Sequence, residues 1–109
     1  MGVTKTEAFK AQHVQLAAYA KAMGHPARIA ILEHLAETDQ CITGDLVEVL
    51  PLAQATVSQH LSELKKAGLI RGSISGTRVC YCLDKEAWAK CIGTVGQLFE
   101  KVRAITKCC

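Results

Sequence analysis

The sequence has few aromatic residues and no long apolar run. Phe, Trp and Tyr make up 5% of its 109 residues, while apolar residues as a class make up 50%. A core is therefore built mainly from Leu, Ile, Val and Ala, and it is thin. Small domains of this kind often complete their core by dimerising. No segment approaches the roughly 20 apolar residues that span a bilayer, which excludes a membrane helix and a membrane partner. The first residues, MGVTKTEAFKAQHVQ, lack the apolar region of a signal peptide, so a cytoplasmic setting is expected. Gly-rich phosphate loops, activated-nucleophile motifs and paired acid–base sets are also missing, and the chain leaves little room for a pocket. These absences argue against an enzyme. Repeats, low-complexity tracts and linkers are absent, so residues 1–109 read as one domain.

Charge of one sign is missing in one stretch and scarce in another. Residues 29–50 contain Glu33, Glu37, Asp39, Asp45 and Glu48 but no Lys or Arg. Residues 53–83 contain Lys65, Lys66, Arg71 and Arg78 against Glu63 alone. The second segment is suited to an anionic partner and the first is not.

The spacing of apolar residues sets the order of elements. Phe9, His13, Leu16, Ala20 and Met23 share one face of a helix over 5–23, ended by Gly24. Pro26 suits the first position of the next helix, with Ile29, Leu32, Leu35 and Ala36 inward. After a turn at 38–40, Cys41-Ile42 reads as a very short strand. Thr43 caps a short helix through Leu50. Residues 54–67 form another helix, with Val57, Leu61 and Leu64 inward and Gly68 closing it. Residues 69–75 and 78–83 read as two strands around a turn at 75–77. Asp84 caps a last helix from Lys85 to about Lys107, with Trp88, Ile92, Val95, Phe99 and Val102 on one side and Cys91 and Leu98 widening that stripe. Two helices joined tightly and followed by a hairpin make a winged helix-turn-helix. The recognition helix is then 54–67 and the wing 69–83. The alternative is a helical domain with an incidental hairpin.

The outer side of residues 54–67 carries Ala55, Ser58, Gln59 and Ser62, with Gln54 and Thr56 near the start. None is acidic. Gln pairs with adenine edges and Ser or Thr reach bases and phosphates, so these are residues a major-groove helix uses. A solvated face would also favour Ser and Gln. Lys65, Lys66, Arg71 and Arg78 are placed to neutralise phosphates around it. His60 lies between the two sides and reads as a packing residue. A non-DNA interaction module stays open as a rival.

AMGHPARIAILEHL, PLAQATVSQHLSELKKAGLI and GTRVCYCLD together resemble the ArsR family of bacterial winged-helix repressors over residues 20–84. The resemblance implies a homodimer formed through the first and last helices, agreeing with the apolar stripe on each. It also implies double-stranded operator DNA as the partner, read as a pseudo-palindrome with half-sites about one turn apart. Release by a metal, a metalloid or a thiol oxidant is implied as well.

The resemblance does not transfer a sensor site unchanged. The family's zinc placement uses carboxylates and histidines at the ends of the last helix, which here begins Asp84-Lys85-Glu86 and has no histidine. The familiar arsenic placement would put its two cysteines at Ile42 and Gly44.

Six cysteines are many for a short cytoplasmic chain, where a disulfide framework is not expected. Cys80 and Cys82 are two apart on one strand and so share a face. In a winged helix the short strand at 41–42 pairs with the returning wing strand. Val79, Tyr81 and Leu83 then face inward, and Cys80, Cys82 and Cys41 face outward together. Three thiolates suit As(III) or Sb(III) as inducer, and soft ions select sulfur. Arg78 is near enough to favour the thiolates. Competing readings are plain strand residues, a redox or persulfide sensor of the same fold, and a sensor of Cd, Pb or Zn. Cys91, Cys108 and Cys109 form a second set. Cys91 lies 17 positions before Cys108, about 25 Å along a helix, so Cys91 reads as core filler and the vicinal pair as a frayed end.

Overall fold

The computed structural model describes residues 6–38, 50–75 and 78–107, excepting the side chains at 6, 73–75, 78 and 79. A short 3-10 turn at Thr6–Ala8 precedes α1 (Ala11–Met23) and α2 (Pro26–Thr38). Helix α3 (Gln54–Lys66) leads into β1 (Ile70–Ser75) and β2 (Arg78–Leu83), and α4 (Lys85–Arg103) follows. The expected strand at 41–42 and the helix from Thr43 lie outside the described residues.

Each boundary has a local cause. The N–H of Gly24 donates to the Lys21 carbonyl at the end of α1 (3.2 Å). His25 then caps α2: its Nδ1 accepts the Ala27 N–H at 3.0 Å, and Pro26 has no N–H to leave unpaired. The end of α3 is a Schellman motif. Leu69 N–H donates to the Leu64 carbonyl and Gly68 N–H to the Lys65 carbonyl. Gly68 sits at φ +82°, where a Cβ would be strained. Leu64 and Leu69, the apolar pair of this motif, are both fully buried. Asp84 Oδ1 accepts the Ala87 N–H at 3.1 Å and caps α4, as the sequence leads one to expect.

The core is formed by Tyr19 and Ala22 from α1, Ile31, Leu32 and Leu35 from α2, Val57, Leu61 and Leu64 from α3, Leu69 and Ile70 at the wing base, and Cys91 from α4. Two expected stripes are rotated. On α2, Leu32 and Leu35 point inward as expected, joined by Ala27 and Ile31, while Ile29 is 48% exposed and Ala36 is exposed. Ile29 precedes Ile31 by two residues, about 200° around the helix, so the two cannot share a face. On α1, Phe9, His13 and Ala20 are exposed, and Tyr19 and Ala22 take the inner side. Phe9 precedes the helix altogether. The last helix also stops at Arg103 rather than near Lys107. There Ile105 N–H bonds the Val102 carbonyl three residues back, a tightened last turn.

The hairpin is a two-stranded antiparallel sheet. Its register pairs Ile70 with Leu83, Arg71 with Cys82, Gly72 with Tyr81, Ser73 with Cys80 and Ser75 with Arg78. Alternation places Ile70, Tyr81 and Leu83 on the core side, where all three pack. Two bonds fix the wing base to α4: the Leu69 carbonyl accepts from Trp88 Nε1 at 2.9 Å and from Asp84 N–H at 3.1 Å. The wing also packs on α3 through β1 and on α2 through β2. The architecture is thus mostly helical with one small β wing.

Candidate nucleic-acid interface and wing thiols

Helix α3 divides by face. Val57, Leu61 and Leu64 are 3%, 6% and 0% exposed. Gln54, Ala55, Ser58, Gln59 and Ser62 are exposed, and Thr56 is half-buried. These five exposed residues carry amide, hydroxyl and methyl groups; the one carboxylate of α3, Glu63, lies beyond them and is paired with Lys66. Ala53 precedes the helix in an extended conformation with no side-chain cap. The first N–H groups of α3 thus have no side-chain cap at its positive end.

The basic residues lie at the end of α3 and on the wing. Lys65 and Lys66 are exposed in the last turn of α3. Lys66 Nζ lies 3.6 Å from Glu63 on the surface, a pairing too weak and solvated to withhold it from a phosphate. Arg71 on β1 has a 72% exposed side chain, with its Nε 3.7 Å from Asp84 Oδ2. Arg78 begins β2 opposite Ser75; its side chain is among those left undescribed. Gly72 allows helix and wing to approach closely. A Cβ there would stand 3.2 Å from the Tyr81 ring and 3.4 Å from Lys65 Nζ. The Tyr81 ring thus covers the glycine across the strand pair, beside the ammonium of α3.

His60 is buried, as its boundary position suggests, and is not placed to read bases. Its Nδ1 accepts a hydrogen bond from Arg28 Nε at 3.2 Å, and its ring lies against that of His25, centroids 4.3 Å apart. Burial first, then His25 and Arg28, hold the His60 imidazole below its ordinary range. Sequence reading missed these partners. The His25-Pro26-Ala27-Arg28 run was visible, but nothing in it points to a residue 32 positions further on.

Cys80 and Cys82 sit on the face of β2 opposite Tyr81, and both are half-buried. Neither enters the hydrophobic core. Arg71 stands directly across from Cys82 and Ser73 across from Cys80. Cys41, Cys108 and Cys109 lie outside the described residues. Cys91 is 2% exposed within the core, and burial pushes its thiol pKa up. It is therefore a protonated packing group remote in role from the wing pair. Among the described residues no three His, Cys, Asp or Glu side chains are gathered for a metal ion; what β2 places on one face is the pair of thiols, Cys80 and Cys82. No described helix is long and apolar enough to cross a membrane.

Comparison with known proteins gives one answer. A family model described as bacterial regulatory protein, arsR family, matches residues 25–71. The HTH-type transcriptional regulator YgaV of Escherichia coli K12 is 31% identical over 97 residues, covering 89% of this chain and 98% of that protein. The HTH-type transcriptional repressor SmtB of Mycobacterium tuberculosis is 44% identical over 63 residues, 58% of this chain and 46% of that one. A crystal structure of an ArsR family transcriptional regulator superposes with TM-score 0.71 at 22% identity, covering 86% of this chain and 96% of the other. With a winged helix-turn-helix fold, basic residues at the end of α3 and on the wing, and a relative matched over almost its whole length, the chain belongs to the ArsR family of helix-turn-helix transcriptional regulators.

Proposed function

We propose that this regulator is a metalloid-responsive repressor. It binds a pseudo-palindromic operator as a homodimer and is released when As(III) or Sb(III) is held by Cys80, Cys82 and Cys41. The observation that carries the reading is the placement of Cys80 and Cys82. They share one face of β2, outside the core, on a wing whose other strand packs against the recognition helix.

The chemistry fits two wing thiols joined by a third. Each thiol loses its proton to a hydroxyl of arsenous acid, so three sulfur–arsenic bonds form as three waters leave. Trivalent arsenic then has three sulfurs in a pyramid and a lone pair in the fourth direction. Zinc would need a fourth donor. Arg71 stands across from Cys82 on the neighbouring strand, and Arg78 begins the strand that carries both thiols. An ion that ties residue 41 to β2 pulls on the wing root and on the entry to the helix-turn-helix together. Coupling of 1–3 kcal/mol per linked pair is typical, so two sites in a dimer lower operator affinity roughly a hundredfold or more.

The open apolar side of α4 supports dimerisation. Ile92, Phe99 and Val102 are 67%, 63% and 59% exposed in the single chain. A helix with so wide an uncovered stripe is one half of an interface.

Mobility-shift titration tests the function. The probe is a duplex selected by the wild-type chain from a random-sequence pool. Binding that fades steeply with salt is expected, as is release by arsenite. Cys80→Ser and Cys82→Ser keep binding and lose that release. Release of both variants by arsenite at the wild-type concentration would overturn the wing site. Release by peroxide or polysulfide but not arsenite would instead identify a thiol-redox sensor, and release by Cd, Pb or Zn alone a soft-metal sensor.

A further inference from the structure

One polar cluster at the edge of the core belongs to neither the thiols nor the outer face of α3. Arg28 reaches from α2 to two other helices. Its Nη1 donates to the carbonyls of Ala22 at 3.2 Å and Lys21 at 3.4 Å, in the last turn of α1. Its Nε donates to His60 Nδ1 on α3 at 3.2 Å. His25 lies against the His60 ring, with its own Nδ1 committed to the Ala27 N–H. A guanidinium has donors only. The Nδ1 of His60 must therefore be an unprotonated acceptor, and the ring proton sits on Nε2. A second proton would set N–H against N–H and one cation beside another.

We propose that Arg28 and His60 act as positioning residues for DNA recognition: their hydrogen bond fixes α3 against the end of α1, and operator binding requires His60 to be neutral. The proposal rests on the reading of α3 as the DNA-facing helix. His60 adjoins Gln59 in sequence and lies two positions from Ser58 and from Ser62, so any displacement of His60 moves the outer face. The other end of the bond is anchored. Arg28 sits at the carbonyl end of α1, where a cation is favoured. Loss of the bond is therefore taken up on the α3 side. The charged and titratable groups around His60 are Arg28 from α2 and His25 from the connection, both of which disfavour its protonation. On α3 itself Glu63 lies one turn along, paired with Lys66.

The sign of the pH effect separates this latch from general electrostatics. Added protons ordinarily strengthen phosphate binding by adding positive charge. The latch predicts the reverse. Fluorescence anisotropy of the full chain with the pool-selected duplex, between about pH 8 and about pH 5, reads it. Wild-type affinity is expected to fall roughly tenfold in acid, with a midpoint below the ordinary imidazole value of about 6.5. His60→Asn keeps an acceptor near the Nδ1 position and does not titrate; it should bind like wild type at pH 8 and lose the acid limb. His25→Gln should keep the limb, because the titrating group is His60. A wild-type profile that is flat or rises in acid overturns the latch, and so does a His60→Asn profile that still falls. Should His60→Asn fail to fold, NMR titration of the wild-type histidine rings decides instead. His60 must gain its proton in step with the loss of binding, and a His60 that stays neutral through that loss overturns the proposal. Failure to select any duplex would remove the DNA reading and the latch together; a selected duplex without the acid limb removes the latch alone.

Discussion

Helices α3 and α4 are both amphipathic, yet the single chain covers the apolar side of one and leaves most of the other open. On α3, Val57, Leu61 and Leu64 are closed off by α2 and the wing base. On α4 only Cys91 is fully buried; Trp88 and Val95 pack partway, Ile92, Leu98, Phe99 and Val102 remain exposed, and so does Ile105 just beyond its end. The two stripes look alike in sequence and do different work. The first fixes the angle of a surface that must meet DNA. The second is available to a second copy of the chain.

Four substitutions would break or sharpen that contrast. Leu64→Ala has the largest expected effect. The side chain is fully buried, and truncation costs about 2–5 kcal/mol of stability, measurable by urea unfolding, with loss of DNA binding. Phe99→Asp should leave the secondary structure by circular dichroism unchanged and weaken self-association at least tenfold or so, read by sedimentation equilibrium. A Phe99→Asp chain that still dimerises like wild type would detach the α4 stripe from the interface. Gly68→Ala forces a Cβ into the left-handed region at φ +82° and should cost about 1–2 kcal/mol. It acts on the closing turn of α3 and leaves self-association as it is. Lys65→Gln is the mildest. It should lower the salt dependence of DNA binding by about one unit of log–log slope without changing the unfolding midpoint.

The same contrast explains how much of the molecule was legible. Where a segment has one apolar side, its spacing identifies the buried face: Val57, Leu61 and Leu64 are inward, and Gly68 stops the helix as expected. The alternation of β2 likewise puts Tyr81 and Leu83 against the core and leaves Cys80 and Cys82 on the opposite face. Helices α1 and α2 carry apolar residues on more than one side. There the 4-3 rhythm picks out a stripe without saying whether the domain's own core covers it, so Phe9, Ala20, Ile29 and Ala36 point outward instead. Contacts between distant segments leave no periodic trace, which is why the Arg28–His60 bond was invisible. For the sensor, strand spacing joins Cys80 to Cys82, but only a three-dimensional argument joins either to Cys41.

The central claim is that the wing thiols hold the metalloid. Native mass spectrometry of the chain with arsenite tests it most directly, comparing wild type with the single Cys→Ser variants at positions 41, 80, 82 and 91. The account predicts that wild type and Cys91→Ser each gain one arsenic and lose three protons per chain, and that the other three variants fail to retain the ion under the same conditions. Full retention of arsenic by Cys80→Ser or Cys82→Ser, or its loss from Cys91→Ser with the fold intact, would contradict the account.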